Sequence, residues 1–129
     1  MLNKLKINKW LDCLLENSKN KKNSLRLLLI ENVRNNTCVS YRDIAIALEI
    51  NEPPVISTVT QLLESLAEED VKNKKPLLAV VAISKKGTLP AKGFFEKLIN
   101  LGVTEIMNTN FNAIEWHSKE LEKVKKYYV

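Results

Sequence analysis

The sequence is poor in the residues that carry most catalytic and metal chemistry. Its 129 residues include three glycines, two cysteines and one histidine. A metal site needs three or four suitably spaced ligands, which Cys13, Cys38 and His117 do not offer, and three glycines cannot form a Gly-rich phosphate loop. His117 falls in helical register with apolar residues, which favours a structural role. We therefore predict no enzymatic activity, no catalytic residues, no metal, no cofactor and no small-molecule substrate.

Long apolar runs are also absent. No run approaches the roughly 18 residues that span a bilayer, and the first residues do not have the pattern of a signal peptide. Two separated cysteines are typical of reduced thiols, so we expect a cytoplasmic protein without a membrane partner. The length predicts a single domain, made of an N-terminal helix with a basic linker (1–23), a core (24–107) and a C-terminal helix (108–129).

The net charge of +5 is distributed in blocks along the chain. Residues 1–35 hold eight cationic side chains against three acidic ones, residues 36–70 hold one against seven, and residues 71–99 hold seven against one. Basic blocks attract phosphate groups, although lysines can equally serve only to solvate a surface. The pattern indicates a nucleic-acid partner if the basic blocks converge on one face.

Hydrophobic periodicity predicts a succession of helices. Ser24 is expected to cap a helix that ends near residue 35, and Ser40 with Asp43 forms a capping box for a short helix at 40–49. A proline at 53 or 54 suits the first turn of a helix at 54–69. Two more helices are expected, one around 94–99 and one at 112–127. The acidic run at 68–70 is interpreted as a solvated helix end.

The pattern changes at residues 77–83, an apolar run that predicts a buried strand. Lys85, Lys86 and Gly87 form a turn after it, and residues 88–89 return as a short antiparallel partner. A short helix, a tight turn, an amphipathic helix and a hairpin follow the plan of a winged helix. The predicted fold class is α+β, a mostly helical winged-helix-like domain with a small antiparallel β-hairpin.

Two blocks of this region resemble the DNA-binding half of the DNA alkyltransferases and alkyltransferase-like proteins. The segment V-S-Y-R-D-I-A at 39–45 and the later P-L-L-A-V-V are similar to the family's V-x-Y-G-x-I-A and P-C-H-R-V-V. Leu77, Leu78 and Ala79 stand where the family has its Cys or Trp, its His and its Arg, and the helix at 54–69 contains no Arg. The resemblance implies a DNA-binding scaffold without alkyl transfer.

A second resemblance covers residues 40–128 approximately. The stretches Y-R-D-I-A and P-L-L-A-V-V-A-I-S-K-K-G-T-L-P-A-K-G-F-F, with a Trp-containing C-terminal helix, are similar to a family of small uncharacterised bacterial proteins. This resemblance implies a shared domain and no particular activity.

The residues expected to contact nucleic acid lie on two segments. Hydroxyl and amide groups on the first half of the helix at 54–69 can bind phosphates and base edges, and lysines after this helix and at the hairpin tip supply charge. The predicted contact residues are Ser57, Thr58, Thr60, Gln61, Lys72, Lys74, Lys75, Lys85 and Lys86. Glu64 and Glu68 on the same helix would repel phosphate.

The predicted function is non-enzymatic nucleic-acid binding of a regulatory kind. The expected partner is duplex DNA, bound weakly and mostly without sequence preference. The alternative is a protein–protein adaptor, in which the acidic helix at 54–69 and the hairpin edge contact an unidentified protein.

Overall fold

The computed structural model describes residues 20–84, 89–107 and 110–129, and these are mostly helical. Helix α1 is helical from residue 20, the first described, to residue 34. It is followed by α2 (Tyr41–Ala47), α3 (Val55–Lys72), α4 (Lys92–Asn100) and α5 (Ala113–Tyr128). Two short 3-10 helices lie at Leu78–Val81 and Thr104–Met107, and two strands of two residues each, β1 and β2, lie at Val39–Ser40 and Ala82–Ile83.

The two strands form a parallel pair, with Val39 opposite Ala82 and Ser40 opposite Ile83. The prediction of a winged-helix-like domain with an antiparallel hairpin is therefore wrong. Leu89, on the far side of the predicted turn, is not in a strand, and its carbonyl accepts one hydrogen bond, from the Ser84 amide at 2.9 Å. The predicted turn and first return residue, 85–88, lie outside the described residues.

The apolar run at 77–83 is buried as predicted, but most of it is not a strand. Residues 78–81 form a 3-10 helix, and residues 77–82 are all buried. An apolar run specifies burial and leaves open how its backbone groups are bonded. Here side chains from distant helices bond the Leu77 and Leu78 amides and the Val80 carbonyl, so this stretch does not need a strand partner.

Side chains fix the starts of two helices, and the sequence analysis above predicts the first of them. The Ser40 hydroxyl accepts a hydrogen bond from the Asp43 amide at 3.1 Å and caps α2. The Asn112 side-chain oxygen accepts from the amides of Ile114 and Glu115 and caps α5. Ser24 is not a cap, because residues 20–24 are already helical and the predicted linker at 17–23 overlaps α1. Residues 1–19 lie outside the described part of the chain.

Four helices end in the same left-handed turn. After α1, α2, α3 and α4, two backbone amides bond back across the last turn in the Schellman pattern. The residues in the left-handed conformation are Asn36, Glu49, Lys74 and Gly102, with φ of 56°, 57°, 55° and 91°. Glycine adopts this conformation without a Cβ clash, whereas Glu49 and Lys74 hold it at a cost.

The core lies between α1, α3, α5 and the buried run at 77–82. Leu25 and Leu29 of α1, Leu63 and Leu66 of α3, and Val124 of α5 are almost completely buried in one cluster with it. Their spacing within each helix is three or four residues, so each helix presents one apolar face to this cluster. Within the described ranges, the structure has no helix that is both long enough and apolar enough to span a membrane.

Candidate nucleic-acid interface

A buried carboxylate, Asp70, organises the C-terminal end of α3. Its side chain is 1% exposed, accepts a hydrogen bond from the Leu78 amide at 3.2 Å, and lies 3.2 Å from the guanidinium Nη1 of Arg26. Burial raises the pKa of Asp70, and Arg26 and the Leu78 amide oppose that shift. The interpretation of residues 68–70 as a solvated helix end is therefore wrong for Asp70.

The neighbouring acidic residue, Glu69, is neutralised by α1. Its carboxylate forms an ion pair with Lys22 and another, at 3.0 Å, with Arg26 Nη2. The hydrogen bond from Lys22 lowers the pKa of Glu69, and Arg26 adds to this effect. Two cations of the first basic block therefore form ion pairs with the acidic residues in the last turns of α3.

The lysines that follow these carboxylates are left exposed. Lys72 ends α3, and Lys74 and Lys75 form the turn after it. All three are exposed and none forms an ion pair with another described residue. Because Glu69 and Asp70 are already bonded, the lysines are the charges that this part of the surface presents.

Helix α5 brings further lysines to the same end of the molecule. Its Glu120 accepts a hydrogen bond from the Leu77 amide at 3.3 Å. Its Tyr128 lies near Arg26 and Asp70, which both act on the pKa of the phenol, although burial is the largest cause of the increase in that pKa. The C-terminal ends of α3 and α5 are therefore adjacent.

The lysines of α5 divide into paired and unpaired sets. Lys119 and Lys123 lie 3.1 Å and 3.6 Å from Glu115 and Glu120. In the part of the chain that the structure describes, the two exposed lysines nearer the end of the helix have no ion pair. We call the five exposed lysines at or just after the C-terminal ends of α3 and α5 the basic end: Lys72, Lys74, Lys75, Lys125 and Lys126.

The polar residues predicted on the first half of α3 lie away from the basic end. Gln61 and Lys72 are eleven residues apart, which is about 16 Å along a helix axis at roughly 1.5 Å per residue. Ser57 and Gln61 are exposed. Thr58 and Thr60 donate their hydroxyl protons to the carbonyls four residues earlier, at 2.8 Å and 2.9 Å. A hydroxyl has one proton, so these threonines have none to donate to a phosphate.

The two acidic residues between these groups have different environments. Glu68 is exposed, at 3.9 Å from Lys97 of α4, and Glu64 is half-buried. Ser57, Gln61, Glu68 and Lys72 are spaced so that they share one face of α3. A nucleic acid lying along this whole face would meet Glu68 in the middle. A polyanion would therefore meet less repulsion at the basic end than along the first half of α3. Lys85 and Lys86, which the sequence also predicts as contacts, fall outside the described residues.

The histidine and the aromatic residues have structural surroundings. His117 is buried, and its Nε2 lies 2.7 Å from the Val80 carbonyl oxygen. A carbonyl can only accept, so Nε2 carries the proton and donates it. Phe95 and Trp116 pack edge to face with centroids 5.7 Å apart, and the Trp116 indole donates to Glu105 at 3.1 Å. The described ranges contain no group of three or more His, Cys, Asp or Glu side chains placed to hold a metal ion.

A groove of about 330 Å³ runs along α5, and its acidic residues are already bonded. Glu105 accepts from Trp116, Glu115 pairs with Lys119, and Glu120 accepts from the Leu77 amide. The bonds of Glu105 and Glu120 join α5 to other parts of the protein. Among the described residues, eight exposed cations have no ion pair: five form the basic end, and the other three are Arg34, Arg42 and Lys92.

Fold and surface together define a small, mostly helical protein with a lysine-rich end formed by two helix C-termini. Comparisons of the chain with family models, with curated proteins and with solved structures give no match. The function is therefore argued from the surface itself.

Proposed function

We propose that this protein binds nucleic acid, without transforming it, through the basic end. The observation that supports the proposal is a separation of charge roles. Lys22, Arg26 and Lys123 are paired with carboxylates, whereas the five lysines of the basic end are exposed without one. A solvated group of like charges lowers the stability of a folded protein by repulsion and attracts polyanions.

The second support is the position of the neighbouring carboxylates. Asp70 and Glu120 point inward and bond the amides of the buried run at 77–78. Their charge is also offset by Arg26 and Lys123. A phosphate approaching Lys74 and Lys75 therefore meets cations before it meets carboxylates.

The chemistry of the basic end predicts weak binding with little sequence preference. Each phosphate neutralised by a lysine contributes about −0.9 to the slope of log K against log salt for duplex DNA, so five contacts give at most about −4.5. Lysine is a point charge, whereas reading a guanine by a bidentate contact is typically the role of arginine. The cations of the basic end are all lysines.

Fluorescence anisotropy with a labelled duplex, at salt concentrations from about 50 to about 200 mM, tests the proposal. The double variant Lys74→Gln/Lys75→Gln should bind roughly tenfold or more weakly and have a slope shallower by about 1.8, because two phosphate contacts are lost. Lys119→Gln is the matched control, since it removes an exposed lysine of α5 that is already paired with Glu115. It should bind within about twofold of the wild type.

A second double variant, Lys85→Gln/Lys86→Gln, tests the site predicted at the loop after β2. If it weakens binding and the Lys74/Lys75 variant does not, the basic end is not the binding surface. If the wild-type protein shows no binding at about 50 mM salt, nucleic-acid binding is wrong, and the protein–protein adaptor becomes the better proposal.

A further inference from the structure

Tyr127 is an aromatic side chain next to the lysines at the end of α5, and it is 53% exposed. It follows Lys126 directly and lies one and two turns of helix beyond Lys123 and Glu120, on the same flank of α5. Glu120 on this flank bonds the Leu77 amide. Tyr127 therefore lies on the flank of α5 that contacts, through Glu120, the segment that follows Lys74 and Lys75.

The Tyr127 ring has a defined support. It contacts the Tyr128 ring edge to face, with the centroids 4.8 Å apart and an interplanar angle of 65°. Tyr128 is half-buried against the core, and Arg26 and Asp70 act on its phenol. A tyrosine has two side-chain torsions, so a ring supported by a fixed neighbour loses little conformational freedom when a ligand stacks on it.

We infer that Tyr127 stacks on an unpaired base, and that the basic end binds single-stranded nucleic acid in preference to duplex. The inference rests on the proposed nucleic-acid binding and specifies its substrate class. Grooves that bind single strands combine lysines that follow the phosphates with aromatic rings on which bases stack. In a duplex the base faces are covered by neighbouring base pairs, so Tyr127 can add nothing to duplex binding beyond its contact with the backbone.

The test compares labelled oligothymidine and oligouridine of about 12 nucleotides with a mixed-sequence duplex of equal length, at one salt concentration. The wild-type protein should bind both single strands more tightly than the duplex. Tyr127→Ala should weaken single-strand binding roughly 5- to 150-fold, which is the range for loss of one stacked base. Its duplex affinity should stay within about twofold, and Tyr127→Phe should keep single-strand binding, because the ring is what stacks.

The outcomes separate this inference from the proposal on which it depends. Weaker binding by the Lys74→Gln/Lys75→Gln variant, with no effect of Tyr127→Ala on any ligand, would support binding at the basic end and refute the stacking. Equal losses for duplex and single strands in Tyr127→Ala would refute it as well. The absence of binding by wild-type protein to all three ligands would refute both. Thermal unfolding of Tyr127→Ala, with a midpoint close to that of the wild type, shows that the change acts on the surface alone.

Discussion

Asp70 is the residue on which the geometry of the basic end depends most. Its buried carboxylate joins Arg26 of α1 to the amide of Leu78, and so it holds the end of α3 against two other parts of the core. Lys72, Lys74 and Lys75 emerge around it. Without Asp70, Arg26 keeps its pair with Glu69, but the buried Leu78 amide loses its acceptor, which is more costly than removing an exposed pair.

Asp70→Ala should therefore lower the free energy of unfolding by about 2 kcal/mol. Glu69→Ala is the matched control, because it removes the adjacent carboxylate and its exposed pairs to the same helix. Its cost should be below about 1 kcal/mol. Urea unfolding followed by circular dichroism measures both, and equal losses in the two variants would show that Asp70 does not have this role.

The same two carboxylates should affect the pH dependence of stability in opposite directions. Burial raises the pKa of Asp70 above its ordinary 3.8, so ionisation of this carboxyl group favours the unfolded state. The contribution of Asp70 to stability is therefore fully present below its ordinary pKa and is lost as the pH rises through the folded pKa. The hydrogen bond from Lys22 lowers the pKa of Glu69 from 4.5. The contribution of Glu69 to stability is present above its ordinary pKa and is lost as the pH falls through the folded pKa.

The measurement is urea unfolding of Asp70→Asn and Glu69→Gln from about pH 3 to about pH 7. The stability lost in Asp70→Asn should shrink as pH rises, and the stability lost in Glu69→Gln should grow. Parallel trends in the two variants would contradict the assigned directions of the pKa shifts.

Among the helices, the shared Schellman ending determines where each connection leaves. Asn36, Glu49 and Lys74 occupy the left-handed position that glycine holds after α4. The left-handed conformation costs roughly 1–2 kcal/mol for a residue with a Cβ, and asparagine tolerates it best. The chain therefore keeps a strained Glu49 and a strained Lys74 at two of these ends.

Glu49→Gly should raise the free energy of unfolding by about 0.5–1 kcal/mol, because the strain relieved exceeds the larger entropy of glycine in the unfolded chain. Glu49→Ala is the control: it removes the same exposed carboxylate and keeps the Cβ. Only the difference between the two variants reports the backbone conformation. Thermal or urea unfolding measures it, and a glycine variant no more stable than the alanine variant would contradict the account.

The sequence predicts helix positions better than it predicts connections between them. The helices at 40–49, 54–69 and 112–127 are confirmed within a few residues as α2, α3 and α5, because each has a regular apolar period and two have a side-chain cap. The strand at 77–83 fails because its bonding partners Asp70, Glu120 and His117 come from other helices. The burial of Asp70 is predictable from the sequence, because this residue falls in register with Leu63 and Leu66 on the apolar face of α3.

The sequence predicts only part of the basic end. Lys72, Lys74 and Lys75 stand in an obvious basic block, whereas residues 100–129 hold equal numbers of cations and acids. The i,i+4 spacing of Glu115 and Lys119 indicates their pairing, and the same spacing indicates a pair between Glu122 and Lys126. The structure confirms the first pair, adds a pair between Glu120 and Lys123, and leaves Lys126 without an ion pair to a described residue. The position of α5 beside the segment that follows α3 depends on contacts between residues far apart in the chain, such as Glu120 with the Leu77 amide.

At the scale of the whole molecule, folding pairs some charged side chains and leaves others exposed without an ion pair among the described residues. Cations of α1 pair with the acidic end of α3, Glu115 and Glu120 of α5 are bonded within the protein, and five exposed lysines lie at or just after the ends of α3 and α5. This arrangement leaves Glu68 and Glu64 along the face of α3 that leads to the predicted residues Ser57 and Gln61. Identifying the residues that contact nucleic acid therefore distinguishes binding at the basic end from binding along that face of α3.

An NMR titration of the ¹⁵N-labelled protein with the single-stranded oligonucleotide tests this central claim most directly. We predict that the largest changes in amide chemical shift occur at residues 72–75 and 123–129, where the basic end and Tyr127 lie. The changes should diminish with increasing salt, as an electrostatic contact requires. Changes confined to residues 55–61 and 84–92, with residues 72–75 and 123–129 unaffected, would contradict the account.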